Sequence, residues 1–232
     1  MKKDQEMSLS SNTANTMTQT TPPRFWDKAA RKYAAMPLRN QADYESWLAR
    51  VVEHLGPDDK VLEVGCGTGS TALRLAPHVG AITATDYAPT MIEIANEKRA
   101  QTKLSNLTFR TADPFDPSNE AAKAVGGENF DAVLAFNLLH LLADPENALE
   151  CLRTLVKPGG LFISKTVCLK DSAWLFAPII GALRLVGKAP RVRMMSPAGV
   201  ENIITGAGFE ILERQTFGAR AKGHFLVARA VE

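Results

Sequence analysis

The residues best spaced for chemistry begin at Glu63. Val61-Leu62-Glu63-Val64-Gly65-Cys66-Gly67-Thr68-Gly69-Ser70 is an apolar run that breaks into three alternate glycines and then a helical pattern. Glycine at a strand-to-helix turn lets a ligand approach the backbone where a side chain would block it. Nineteen residues beyond Gly67, Asp86 ends the next apolar run. That is where a carboxylate would grip a ribose diol. The glycines alone are weak evidence; their position after the first strand, with an acid closing the second, carries the reading. A dinucleotide site would need G-x-G-x-x-G, whereas this chain reads E-x-G-x-G-x-G, which counts against a nicotinamide-dependent oxidoreductase. A third group, Asn137-Leu138-Leu139-His140, follows the apolar run Phe130–Phe136. His140 is the best-placed titratable candidate for a general base near neutral pH, beside the blander reading of a structural histidine at a helix start.

These residues need a frame, and the chain alternates short β-branched runs with helical patterns. Strands are expected at Lys60–Val64, Ala81–Thr85, Asn106–Thr111, Phe130–Phe136 and Gly160–Thr166, the last after the breaker Lys157-Pro158-Gly159-Gly160. Helices are expected from Ser70, at Pro89–Arg99 and after Asp144-Pro145, with Pro at the first helical position. This order marks an α/β fold, a parallel sheet wrapped by helices on both faces. Two helices, Phe25–Ala35 and Tyr44–Leu55, precede it. After a helix at Pro197–Thr205, strands Phe209–Phe217 and Gly223–Val231 are linked too briefly for anything but antiparallel pairing. The architecture expected is a Rossmann-like seven-stranded, mostly parallel sheet with an antiparallel last strand. It forms one domain over 23–232, with an N-terminal helical cap at about 23–56 and a lid insertion at about 171–195.

Composition narrows the class. The 232 residues include 27 Lys and Arg against 25 Asp and Glu, a net charge of +2, so no nucleic-acid partner is expected. Cys66, Cys151 and Cys168 form no CxxC pair and cluster with no histidine, arguing against disulfides and a metal site and for a reducing, cytoplasmic location. Residues 1–22 read as a disordered tail: Ser, Thr, Asn and Gln make up eleven of the fourteen residues from Ser8 to Thr21. Asp4, Gln5 and Glu6 interrupt what would be the apolar core of a signal peptide. Cys66 reads as a small residue filling the glycine turn, and His54, His78 and His224 as solvated residues at element ends.

In Glu63 to Gly69, Asp86 and the turn Leu155-Val156-Lys157-Pro158-Gly159-Gly160-Leu161, the chain resembles the class I S-adenosylmethionine-dependent methyltransferases, over about residues 24–232. Within them it is similar to the small-molecule and quinone-biosynthesis branch. The resemblance implies S-adenosylmethionine as cofactor. Glu63, Gly65, Cys66, Gly67, Gly69 and Ser70 would wrap its methionine part, and Asp86 would bind both ribose hydroxyls. Tyr87 and Met91 would flank the adenine, with Ala112, Asp113 and Pro114 facing its amino group. Asp113 has a local alternative as a loop cap before Pro114. Asn137 and Leu138 fall in the loop facing the transferable methyl, and Tyr33, after Phe25-Trp26-Asp27, takes the place of a tyrosine near the cofactor carboxylate. Base and protein-amide methyltransferases often carry Asn-Pro-Pro-aromatic after the fourth strand. Here Leu138-Leu139-His140 follows Asn137, which favours a small-molecule acceptor.

The sulfonium already activates its methyl, so the protein need supply little beyond in-line positioning and a dry site. A non-catalytic cofactor-binding module is the alternative. Between Asp171 and Met195 lie Trp174, Leu175, Phe176, Ile179, Ile180, Leu183, Leu185 and Val186, followed by Arg184, Lys188, Arg191 and Arg193. This segment suits a lid admitting an apolar acceptor, with peripheral membrane contact through 174–193, or a helix packed on the sheet edge with solvated basic residues, since Pro178 and Gly181 would break up a long interfacial helix. The identity of the acceptor, the atom methylated and the oligomeric state are not encoded in any motif.

Overall fold

The computed structural model describes residues 23–37, 40–113, 115, 129–218 and 223–231. The expected tail 1–22 and Pro114 lie outside these. In chain order the elements are α1 (Pro23–Ala34), α2 (Gln41–Glu53), β1 (Lys60–Val64), α3 (Ser70–Leu75), β2 (Ala81–Asp86), α4 (Pro89–Arg99), β3 (Leu107–Thr111) and β4 (Phe130–Phe136). There follow α5 (Pro145–Leu155), β5 (Val156–Val167), α6 (Ala173–Leu185), α7 (Pro197–Gly206), β6 (Phe209–Phe217) and β7 (Gly223–Ala230). Local chemistry sets the helix starts. Asn40, Asp144 and Ser196 each accept a hydrogen bond from a backbone N–H three residues on, capping α2, α5 and α7. Pro89, Pro145 and Pro197 occupy first-turn positions where their missing N–H costs nothing.

The seven strands lie in the order β3-β2-β1-β4-β5-β7-β6. All neighbours run parallel except β7, which is antiparallel to β5 on one side and β6 on the other. The sequence supplied the β6–β7 pair, but not the insertion of β7 between β5 and β6. Buried residues of β1 fall to opposite faces: Val61 belongs to the cluster holding Trp47, Leu48 and Val51 of α2, while Leu62 and Val64 belong to that holding Leu149 and Leu152 of α5. Both faces are therefore covered, as a mostly parallel sheet requires. Its carboxyl edge collects Glu63, Asp86, Phe136 and Lys165.

Three expectations need correction. β5 starts at Val156 rather than Gly160, because Val156 already pairs with Phe130; Pro158, Gly159 and Gly160 are taken up by a register shift before Leu161 meets Ala132. Pro178 does not interrupt α6, which runs unbroken through it. His54 and His224 are not simply solvated: His54 Nε2 lies 2.8 Å from Glu213, and buried His224 has Nε2 2.9 Å from Glu201.

Candidate active site

The glycine turn is built by three glycines with different tasks. Gly67 has φ +54°, and the nearest atom to an added Cβ would be Tyr33 Cε1, 4.0 Å away, so its open side faces a cavity. Gly69 is the correction: it does not line that cavity. With φ +73°, it is glycine because a Cβ would lie 2.5 Å from the Phe109 ring and 2.8 Å from Ala95, a packing reason rather than a ligand. The turn is held from both sides. Cys66 N–H donates to Thr85 O at 2.9 Å, and Lys98 of α4 donates from Nζ to Thr68 O, Thr68 Oγ1 and Ser70 Oγ at 2.8–3.0 Å. Lys98 went unnoticed in the sequence, where it looks like any exposed helix lysine.

The cavity in front of the turn holds about 1390 Å³. Of the sequence-expected residues, Tyr33, Glu63, Gly65, Cys66, Gly67, Ser70, Asp86, Tyr87, Met91, Ala112, Asn137, Leu138 and His140 line it. Asp113 does not; its Oδ1 accepts a hydrogen bond from Phe115 N–H at 3.0 Å, the local loop-cap alternative. At the end of β2 the Asp86 carboxylate accepts from Ala88 N–H and Gly67 N–H, each at 2.9 Å, which fixes its plane against the glycine turn. Burial nevertheless raises its pKa.

Glu63 is a buried carboxyl in an uncomfortable setting. It is 2% exposed and its Oε2 has no hydrogen-bond partner. Burial, then the neighbouring Asp86 charge, pushes its pKa up to about 8. Two carboxyls crowded at one end of a cavity call for a cation. Burial also raises the Cys66 thiol well above its ordinary value, so it is no nucleophile at neutral pH.

Across the cavity stand the residues after β4 and β5. Asn137 holds a left-handed backbone, φ 55°, with its N–H donating to Lys165 O at 2.7 Å. Such a conformation in a non-glycine residue is characteristic of functional sites. His140 sits in a short 3-10 turn, Leu139–Leu141, buried, with Nδ1 unpartnered. Burial, then the Lys165 charge, lowers its pKa to about 4, so it is neutral at physiological pH. Residues not singled out as site residues in the sequence complete this half: Tyr44, Trp47, Phe136, Lys165 and Phe217. Lys165 did leave a trace, as a lone charge in the otherwise apolar and hydroxylated run Leu161–Val167 at the sheet's carboxyl edge. Pro190 and Val192 of the expected lid reach the cavity, whereas Trp174 and Phe176 do not.

The donor set fits S-adenosylmethionine. The Glu63 carboxyl, with Oε2 unpartnered, suits a cationic ammonium, the fixed Asp86 carboxylate suits a diol, and the open side of Gly67 leaves room between them. A Rossmann-like sheet with this turn and this carboxylate defines a nucleotide-cofactor domain. Residues 62–162 match the family described as "Methyltransferase domain". Ubiquinone biosynthesis O-methyltransferase of Acinetobacter baylyi is 30% identical over 68% of this chain and 67% of its own length. Its counterpart from Methylocella silvestris is 36% identical over 57% of this chain, which spans about half (48%) of that relative. Two solved structures share the fold: the [4+2]-cyclase SpnF, 19% identical with TM-score 0.66 and 85% of each chain covered, and the N-methyltransferase NodS of Bradyrhizobium japonicum WM9 with S-adenosyl-L-homocysteine, 18% identical with TM-score 0.63, covering 89% of this chain and 99% of that one. The chain belongs to the class I S-adenosylmethionine-dependent methyltransferases, and S-adenosylmethionine is its cofactor. No cluster of His, Cys, Asp and Glu able to hold a metal occurs among the described residues.

Proposed function

We propose that this chain transfers a methyl group to an oxygen of a small, largely apolar acceptor. The observation carrying this reading is the character of the cavity beyond the glycine turn: Trp47, Phe136, Leu138, Leu141 and Phe217 supply apolar surface, with His140 and Lys165 as polar points among them. A shape of this kind suits an aromatic ring with one or two oxygens. Oxygen as the target is carried over from the ubiquinone O-methyltransferases.

In this reading Glu63 takes the cofactor ammonium, and Gly65, Cys66, Gly67 and Ser70 wrap the methionine part, with Tyr33 near its carboxylate. Asp86 binds the ribose, Tyr87, Met91 and Ala112 enclose the adenine, and Asn137 and Leu138 flank the methyl. When bound, the cofactor supplies an electrophilic methyl. The protein orients the acceptor and excludes water. Neutral His140 can accept a hydrogen bond from the acceptor, but burial and the Lys165 charge both oppose a full positive charge on its ring. His140 therefore positions more than it deprotonates, and His140→Ala should slow single-turnover methylation less than about 100-fold, below the usual range for losing a general base. A larger loss with unchanged cofactor affinity would restore the base assignment.

α6 supplies a route for an apolar acceptor. None of its residues is buried, Trp174 is 80% exposed, and Arg184 and Lys188 follow its apolar stretch. Such a helix suits the headgroup layer of an anionic membrane. Among the described residues no helix is long and apolar enough to cross one. The overall reading is tested by incubating the protein with S-adenosylmethionine and a series of alkylated phenols. Release of S-adenosylhomocysteine together with an O-methyl product is expected. Release with amines and not with phenols would overturn the choice of oxygen.

A further inference from the structure

Lys165 is a cation placed where the family's minimal chemistry has no evident use for one. It lies on β5 opposite Phe136 of β4 and Phe225 of β7, facing the acceptor half of the cavity. Its Nζ stands 5.4 Å from the centroid of the Trp47 ring. Among the described residues no carboxylate lies within ion-pair distance of it. The titratable groups lining the same part of the chain's cavity as Lys165 are Asp43 and Tyr44 of α2 and His140 of the turn after β4. The Asp43 carboxylate accepts from the Asn40 side-chain amide, the cap of α2, and acts on Lys165 only at longer range. The other carboxyls of the cavity, Glu63 and Asp86, belong to β1 and β2, with β4 between them and β5. A half-buried ammonium over an aromatic face, next to the residues that follow β4, lacks an anion, and the acceptor can bring one.

Resting on the proposed O-methylation, we propose that Lys165 holds the acceptor's reacting oxygen as an oxyanion, so that the site selects phenol-type acceptors in ionised form. The acceptor O–H gives its proton to solvent on binding. An oxygen lone pair then forms the bond to the methyl carbon while the carbon–sulfur bond breaks and its electron pair stays on sulfur. No cation need form on His140, which would otherwise stand beside both the lysine and the sulfonium. Burial, which lowers the pKa of Lys165, strengthens its attraction for an anion rather than removing it, since a charge in a poorly screened site interacts more strongly. Trp47, itself buried against Tyr44 and Phe136, steadies the ammonium from beneath by its ring face.

The test uses the full chain saturated with S-adenosylhomocysteine and 4-nitrophenol as the probe, because its visible absorbance reports ionisation directly. Wild type should bind the probe and hold it roughly tenfold more ionised at a given pH than Lys165→Met does, a difference of one pKa unit. Lys165→Gln should behave like Lys165→Met, and both should bind S-adenosylhomocysteine as wild type does. An unchanged ionisation curve in both variants, with the cofactor product bound normally, overturns the role of Lys165 and leaves the methyltransferase reading standing. Failure of wild type to bind 4-nitrophenol also overturns it. If benzoate binds in a Lys165-dependent manner and 4-nitrophenol does not, the lysine serves a carboxylate, and the oxyanion proposal fails. Failure of wild type to bind S-adenosylhomocysteine sinks the underlying reading itself.

Discussion

Glu63→Gln should make the free protein more stable as pH rises while weakening its hold on cofactor. In the folded chain the carboxyl titrates near pH 8, against 4.5 for an ordinary glutamate. The folded state therefore binds more protons than the unfolded state between those values, and stability falls as pH rises from about 4.5 through 8. At about 1.4 kcal/mol per pKa unit, keeping Glu63 protonated in the fold while the unfolded chain ionises costs roughly 2 kcal/mol by pH 6 and roughly 4 kcal/mol by pH 8. A neutral amide avoids that cost at every pH. It brings its own burden of about 1–3 kcal/mol, because an NH2 group replaces an oxygen that already lacks a partner. The robust quantity is thus the change with pH: the difference between Glu63→Gln and wild type should move in favour of the variant by about 2 kcal/mol from pH 6 to pH 8. For a chain of this size that corresponds to roughly 4–8 °C in Tm. Calorimetry supplies the second half of the test. About nine-tenths of Glu63 is protonated at pH 7, so S-adenosylhomocysteine should release close to one proton per wild-type site on binding, and fewer from the variant. Equal Tm differences at the two pH values, together with no proton release, would refute the account of Glu63 as a cofactor-side anion stored in its protonated form.

Asp86→Ala should weaken S-adenosylhomocysteine binding about 10- to 150-fold by removing charge-assisted hydrogen bonds, as measured by calorimetry; unaltered affinity would remove Asp86 from the site. The glycines separate cleanly. Both substitutions should lower Tm by the strain of a positive φ, but Gly67→Ala should also bind cofactor poorly because its Cβ enters open cavity, whereas Gly69→Ala should lower Tm further because its Cβ meets the Phe109 ring. The opposite pattern would reverse their roles. Replacing Arg184 and Lys188 with Gln should weaken binding to anionic phosphatidylserine vesicles roughly tenfold or more, at about 1 kcal/mol per charge, and leave binding to neutral vesicles unchanged. Arg193 is kept as the control: its guanidinium bridges Glu146 at 3.1–3.2 Å and donates to Ala143 O, so it braces the fold.

The parts of this molecule legible in its sequence are those where one local constraint dominates. Alternating β-branched runs gave the sheet, proline and capping residues gave the helix starts, and an E-x-G-x-G-x-G turn gave the cofactor end of the cavity. What stayed hidden depends on pairing between distant strands. The place of β7 between β5 and β6 follows from which sheet edge is free once β1 to β5 have assembled, and no local pattern encodes that choice. The same insertion brings Gly223 against Lys165, with an added Cβ only 2.8 Å from Lys165 Cε, and so closes the far side of the lysine. Gly69 shows the converse difficulty. Within the motif it is indistinguishable from Gly67, and only the Phe109 ring of β3, forty residues on, reveals that its purpose is packing. Lys165 was readable as an anomaly but not as a site residue, since its meaning rests on Trp47 of α2, more than a hundred residues earlier. The cofactor end is local and carried by one loop, so it announces itself in the chain. The acceptor end is assembled from α2, the turn after β4, β5 and β6, which is why the sequence named the reaction sooner than the molecule that receives the methyl.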